Sequence, residues 1–308
     1  MTALTKSSLG NTGLEITRLG FGAMEIRGVP RGRDVTPKQA DTILNSVLDS
    51  GINYIDTSID YGLSEEFIGK FISHRRDEFV LATKCGCHVG APTAPAGQPS
   101  PHVFTRANVV AGVEQSLRRM KTDHLDVVQF HSSPDMSTLE AEGALDALRE
   151  FQQQGKVGHI GMSGILPNLA AHVNSGAFAV LQIPYSALER QHEDWITAAA
   201  KRGIGNVIRG GVAKGEPGHS GVEGRVSWDT FDEANLGELL DDGETRTSFM
   251  LRFTLSHPGM HTTIVGTLNP EHLAQNVAAT ECGALSADTY TEAKRRLAAA
   301  GQVPASAR

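Results

Sequence analysis

The sequence predicts an α/β protein, a closed (β/α)8 barrel of the TIM-barrel type, with an N-terminal β-hairpin and an extra C-terminal helix. Three observations predict it. Short apolar, β-rich runs alternate with longer segments of helical period about eight times along the chain. Such alternation means parallel strands joined by helical crossovers. The 308 residues suit one barrel with insertions, so 1–308 is read as a single domain. The alternative, an open doubly wound sheet, calls for a glycine-rich phosphate turn after the first strand. The sequence there is GFGAMEIRG, which lacks that spacing.

LGNTGLEITRLG reads as a hairpin, with turn chemistry over 11–13. The first barrel strand covers 19–23. Thr36 caps the next helix, Pro37 begins it and Gly51 stops it, each residue suiting its position by side-chain acceptor, fixed φ or absent Cβ. A strand over 53–56 leads to a helix capped by Ser64. A strand over 79–84 leads through a Gly-, Pro- and Ala-rich loop to a helix capped by Thr105. Strand 125–131 precedes one helix over 139–154, and strand 157–163 a short helix from Pro167. Strand 179–184 precedes a helix near 193–202. Strand 206–209 opens into an irregular loop, 210–235, a length typical of lids or disordered segments. A helix over 245–256, a strand over 262–265 and a helix opened by Pro270 complete the eight units. Ser286 caps the last helix, 287–299.

With 40% hydrophobic and 20% charged residues, the composition is that of an ordinary globular protein. A net charge of −7 argues against a broad nucleic-acid or anionic-membrane surface. No apolar run approaches the roughly 18 residues of a membrane span. The opening MTALTKSSLGNTG has no apolar signal core, so a cytoplasmic protein is expected. Three cysteines, Cys85, Cys87 and Cys282, point to a reducing compartment without a disulfide framework. The C-x-C pair lacks the ligand partners of a zinc site, and no metal is expected. The oligomeric state is not legible.

Barrel active sites lie at the C-terminal ends of the strands. There the sequence puts Asp56, with Tyr61 five residues on, then Lys84, then His131. Alone, each has a plain structural role: a turn cap, a rim aromatic, a solvated amine, a satisfied core histidine. Together, on successive strand ends, they suit carbonyl reduction. A tyrosine of pKa about 10 is a weak acid at neutral pH. A lysine cation about 4 Å away favours tyrosinate by up to roughly 4 kcal/mol at an effective dielectric of 20, which brings the phenol toward 7. Desolvation opposes the shift. Asp56 is the counter-ion that keeps Lys84 charged, and His131 orients the carbonyl and stabilises charge on its oxygen. No side chain carries hydride, so a nicotinamide cofactor is implied.

The runs GINYIDTSIDYGLSEEFIG, FVLATK and SLRRMKTDHLDVVQFH, with GKVGHIGMSG, VLQIPYSAL and IVGTLNPEHLAQN, resemble the aldo-keto reductase family in order and over nearly the whole chain. The resemblance implies a barrel that binds NADPH, or less often NADH, in extended form. It implies a catalytic tetrad of Asp56, Tyr61, Lys84 and His131, with Asp56 also close to the cofactor. It places Ser163 and Gln182 at the nicotinamide carboxamide and Gly22, Ala23 and Met24 beside the ring. Gly266, Thr267, Gln275 and Asn276 then surround the adenosine phosphate and adenine, with amides of a helix start suited to the phosphate.

The chain departs from that pattern in three places. Gly164 follows Ser163 where the family often has Asn. Arg209 stands where an aromatic often stacks on nicotinamide, and is either a pyrophosphate or amide contact or a salt-bridged rim residue. Gly266 and His272 stand where a Lys and an Arg are common. NADP(H) is favoured and NAD(H) is the alternative. Loop 210–235 matches a cofactor clamp, with Trp228 and Phe231 either covering the site or packing a surface loop. Met24, Ile26 and Trp228 are the expected substrate pocket. The leading reading is NAD(P)H-dependent reduction of a small-molecule aldehyde or ketone. Its rivals are a cofactor-sensing protein with little turnover and a Schiff-base lyase on Lys84, which requires a neutral lysine.

Overall fold

The computed structural model describes residues 4–91, 94–95, 98, 100–213, 215 and 228–307. Lys6–Ser8 (β1) and Glu15–Thr17 (β2) pair antiparallel as the N-terminal hairpin. Then come β3 (Leu19–Gly22), β4 (Tyr54–Asp56), β5 (Val80–Cys85), β6 (Leu125–Phe130), β7 (Val157–Ser163), β8 (Val180–Pro184), β9 (Gly205–Arg209) and β10 (Thr262–Val265). Each lies parallel to the next, and β10 closes on β3 to complete the barrel. The helices are α1 (Pro37–Asp49), α2 (Ser64–Phe71), α3 (Arg106–Met120), α4 (Met136–Ala141), α5 (Ala144–Gln153) and α6 (Leu169–Ser175). They continue as α7 (Glu193–Lys201), α8 (Asp229–Glu233), α9 (Arg246–Leu255), α10 (Pro270–Cys282) and α11 (Ala287–Ala299). None is long and apolar enough to cross a membrane.

Local chemistry accounts for most helix starts. Thr36 and Gln39 form a reciprocal capping box on α1, which satisfies two amides that otherwise lack partners. Thr105, Thr245 and Ser286 accept from the third helical amide of α3, α9 and α11. On α1 the buried residues Ala40, Ile43, Leu44, Val47 and Leu48 recur at helical spacing and face the barrel.

Three expectations are corrected. Ser64 is not a cap: it is the first residue of α2, and no side chain caps that helix. Its buried hydroxyl instead donates to the Ala23 carbonyl at 2.9 Å and meets Thr57 Oγ1 at 2.8 Å. It thus ties the segment after β3 to the end of β4. The helix expected over 139–154 is two, because Gly143 adopts a left-handed φ of 65° between α4 and α5. Of the loop expected over 210–235, positions 214 and 216–227 lie outside the described residues. Its later part carries α8, and the 3₁₀ turn Leu236–Leu239 follows just beyond it.

Two apolar bodies hold the molecule together. One lies between strands and helices. The other fills one end of the barrel interior, where Leu9 and Ile16 of the hairpin region pack with Tyr54, Ala82, Val127, Val180 and Val207. The hairpin therefore plugs the barrel at the N-terminal ends of the strands. At the opposite end the interior is polar: Asp56, Lys84, Gln129 and Gln182 are each no more than 2% exposed.

Candidate active site

Strand register explains why these side chains meet. Asp56 sits opposite Gly22 of β3 and Ala82 of β5. Lys84 sits opposite Gln129 of β6, and Ser163 of β7 opposite Gln182 of β8. In such barrels, side chains from alternate strands fill one interior layer. Here β4, β6 and β8 send Asp56, Gln129 and Gln182 inward. Both amide groups donate to Asp56 Oδ1, at 3.0 Å from Gln129 and 2.8 Å from Gln182. Lys84 Nζ donates to Asp56 Oδ2 at 2.6 Å and to the Thr57 carbonyl at 2.8 Å. The carboxylate thus accepts three hydrogen bonds in one buried ion pair, and an unpaired charge at that depth costs several kcal/mol.

Tyr61 lies in the turn after β4, partly buried, with its ring centre 4.9 Å from Lys84 Nζ. Its hydroxyl makes no hydrogen bond among the described residues. His131 follows β6 and meets the Tyr61 ring edge-on at 6.2 Å. The structure therefore brings Asp56, Tyr61, Lys84 and His131 to one end of the barrel.

The electrostatics differ in one respect from the sequence expectation. Burial raises the Tyr61 phenol above its ordinary pKa, Asp56 and Asp60 add to the rise, and the opposing pull of Lys84 and Arg209 is weaker. Desolvation outweighs the lysine, so the phenol is not drawn toward 7 and is fully protonated at neutral pH. Lys84 goes the expected way. Burial depresses it, but Asp56 and Tyr61 more than restore it, and its pKa ends above the ordinary value. An ammonium so held is no Schiff-base nucleophile. Burial lowers His131, and Lys84, His102 and Arg209 lower it further, against the pull of Asp60. The imidazole is neutral.

The residues the sequence assigned to a cofactor form an arc around this centre. Gly22 ends β3, and Ala23 and Met24 lie in the 3₁₀ turn Ala23–Ile26. Gly266 packs against that strand end, since a Cβ there would lie 2.5 Å from the Gly22 carbonyl oxygen. Ser163 Oγ lies 3.5 Å from Gln182 Oε1. Arg209 ends β9 half-buried, its charge acting on Tyr61, His131 and His192. Thr267 is buried, and its Oγ1 accepts from the Asn269 amide at 3.0 Å. On α10, His272 and Gln275 are exposed and Asn276 is half-buried. The α10 start is partly occupied, because Asn269 accepts from the Glu271 amide and Pro270 has no N–H. The expected pocket is corrected in part. Ile26 is fully buried in the core, and Phe231 packs edge-on against Phe249 with Trp228 beside it. Phe231 thus packs on α9, with Trp228 against it.

Sequence reasoning missed Gln129, Asp60, Cys87 and His102. A glutamine inside the apolar run VVQF was the available signal for Gln129, since an amide on a barrel strand needs a buried partner. Asp60 accepts from Ser58 at 2.6 Å and pairs with Arg31 at 3.1 Å. Burial alone raises its carboxyl, but hydrogen bonds from Ser58, Ser100 and Arg31 hold it below the usual range. Cys87 Sγ is 3.2 Å from His131 Nδ1. The Cys87 side-chain neighbours His102 and His131 lie 15 and 44 residues away in sequence, which short spacing does not show.

Comparison with known proteins agrees with the fold. The aldo/keto reductase family model matches residues 18–297, and the chain belongs to that family. Its relatives include the uncharacterized oxidoreductase YqkF of Bacillus subtilis, 28% identical over 292 residues, spanning 90% of this chain and 91% of that protein. They also include pyridoxine 4-dehydrogenase of Escherichia coli, 34% identical over 206 residues, spanning 62% of this chain and 68% of that protein. Among solved structures, an aldo-keto reductase from Bacillus halodurans in its holo form superposes with a TM-score of 0.81 at 28% identity, covering 95% of this chain and 96% of that one. The family supports an oxidoreductase that reduces carbonyl groups in general.

Proposed function

We propose that the protein reduces the carbonyl group of a small aldehyde or ketone at the polar end of the barrel, with Asp56, Tyr61, Lys84 and His131 as the working residues. The observation that carries this reading is the fully buried Asp56–Lys84 pair, set 4.9 Å from the Tyr61 ring centre. Ser163 and Gln182 on adjacent strand ends offer the hydroxyl and amide chemistry that fits a carboxamide. A nicotinamide cofactor fits these residues and, when bound, supplies the hydride. Gly22, Ala23, Met24, Ser163, Gln182 and Arg209 would hold its nicotinamide half. Gly266, Thr267, His272, Gln275 and Asn276 would hold the adenosine half. NADP(H) is the favoured form, with His272 available to a 2′-phosphate; Glu271 in the same helical turn works against it. The ratio of kcat/KM for NADPH to that for NADH decides.

The chain's own residues supply the proton and the orientation. Tyr61 keeps its proton at neutral pH and releases it to the carbonyl oxygen as charge builds there. The Lys84 ammonium stabilises the phenolate left behind, because an opposite charge at that range is worth a few kcal/mol at intermediate dielectric. Asp56 keeps Lys84 charged and in place, and Gln129 and Gln182 fix Asp56. Burial keeps the Cys87 thiol protonated, so it donates to His131 Nδ1. The ring proton then resides on Nε2, where it donates to the substrate oxygen.

Tyr61→Phe tests the assignment. Turnover across a panel of aldehydes, ketones and sugars is expected to fall by about 10²–10⁴-fold, the usual worth of a general acid, with the dissociation constant for NADPH nearly unchanged. Full activity in this variant removes Tyr61 from the mechanism.

A further inference from the structure

We infer that Cys87, His102 and His131 form a binding site for a borderline-soft divalent cation of the zinc type. Their ligand atoms all lie within 4.8 Å of one another. Cys87 Sγ is 3.2 Å from His131 Nδ1 and 3.7 Å from His102 Nε2. A tetrahedral ion with metal–sulfur and metal–nitrogen distances of about 2.3 and 2.0–2.1 Å sets sulfur and nitrogen about 3.5 Å apart. The two observed separations bracket that value. The remaining gap, between the two imidazoles, shortens by rotation of the half-exposed His102 ring.

The ligands are held before any ion arrives. Cys87 and His102 bridge antiparallel across the two arms of one loop. Backbone bonds from His88 to Pro101 at 2.9 Å and from Val103 to Gly86 at 2.7 Å close the loop on either side. Asn108 donates to the Cys87 and Val103 carbonyls at 3.1 and 2.7 Å. His102 stacks on Phe104, and its ring meets His131 edge-on at 5.1 Å. Asp60 Oδ1 lies 3.8 Å from the same His131 Nδ1 and places negative charge beside a bound cation. Three protein ligands leave a fourth position open, the pattern of sites that exchange a water or a small anion. On binding, the ion replaces the thiol proton of Cys87, which passes to the buffer, and both histidines enter as neutral ligands.

Neither this geometry nor its test depends on the proposed reduction. Metal-free protein is titrated with cobalt chloride in the presence of a phosphine reductant. One equivalent is expected to produce a thiolate-to-cobalt charge-transfer band and the intense visible bands of tetrahedral cobalt, and zinc chloride is expected to abolish both. Cys87→Ser is expected to remove the charge-transfer band, and Cys282→Ser to leave it intact. His102→Ala lies on a half-exposed loop position and does not threaten folding; it is expected to weaken cobalt binding by at least about tenfold, since loss of an outer-shell group alone costs 10–100-fold. The site is overturned if wild-type protein shows no charge-transfer band, if the band survives Cys87→Ser, or if His102→Ala binds cobalt as tightly as wild type.

Discussion

At the plugged end the barrel is filled by Leu9, Ile16, Tyr54, Ala82, Val127, Val180 and Val207; at the open end it is filled by Asp56, Lys84, Gln129 and Gln182. The same parallel strands contribute to both. At the first end, burial itself stabilises, at about 25 cal/mol per Å² of apolar surface. At the second, burial costs free energy, and order comes from three donors, Lys84, Gln129 and Gln182, converging on one carboxylate. The lesson is that stability and chemistry occupy opposite ends of one closed sheet. The apolar end needs only shape, whereas every polar partner at the other end is specified by its neighbours. Such a polar layer is expensive unless its charges are paired, and the pairing with Asp56 is what holds Lys84 charged beneath Tyr61.

The largest effect that can break this comparison comes from removing the lysine. Lys84→Met leaves Asp56 as a buried, unpaired carboxylate, and removing one member of such a pair typically costs about 3–5 kcal/mol. Turnover is expected to vanish and the denaturation midpoint to fall together. A variant as stable as wild type would show that the ion pair is not the structural centre of that end. The matching change at the plugged end is Leu9→Ala, which opens a cavity beneath the strands and is expected to cost about 2–5 kcal/mol. Here kcat, measured well below the melting temperature, is expected to stay at the wild-type value. A large fall in kcat would mean that the two ends are coupled, and the division between them would fail.

The same division governs what the sequence reveals. Strands 157–163 and 262–265 and the helix 287–299 were legible to the residue, because an apolar run marks each strand and the Ser286 cap marks the helix start. The placement of Asp56, Lys84 and His131 at, or within one residue of, successive strand ends was legible. What failed was long-range. Ser64 has the chemistry of a cap, but a tertiary partner, the Ala23 carbonyl, takes its hydroxyl. The helix break at Gly143 depends on a backbone angle that a periodic pattern does not carry. The direction of the Tyr61 shift depends on how deeply the ring is buried, and burial there outweighs a lysine that the sequence did place nearby. Cys87 meets His102 and His131 across 15 and 44 residues, so no short spacing announces them.

The smallest expected effect concerns acid. Burial, aided by the charge of Arg209, lowers His192 from 6.5 to about 4, and its neutral Nε2 accepts from the Leu166 amide at 3.3 Å near the polar end. The unfolded chain takes up a proton near pH 6.5, whereas the folded chain refuses it until about pH 4. The sign follows: the unfolded state binds more protons in that window, so stability is full above pH 6.5 and falls as pH drops toward 4. His192→Gln keeps an acceptor but cannot titrate. Thermal melts from pH 7 downward are therefore expected to show a shallower loss of Tm for this variant than for wild type. Buried histidines elsewhere, such as His172 and His257, are also lowered by burial, so part of the slope remains. Parallel curves for the two proteins would mean that protonating His192 does not loosen the polar end, and that its acid sensitivity resides in those other histidines.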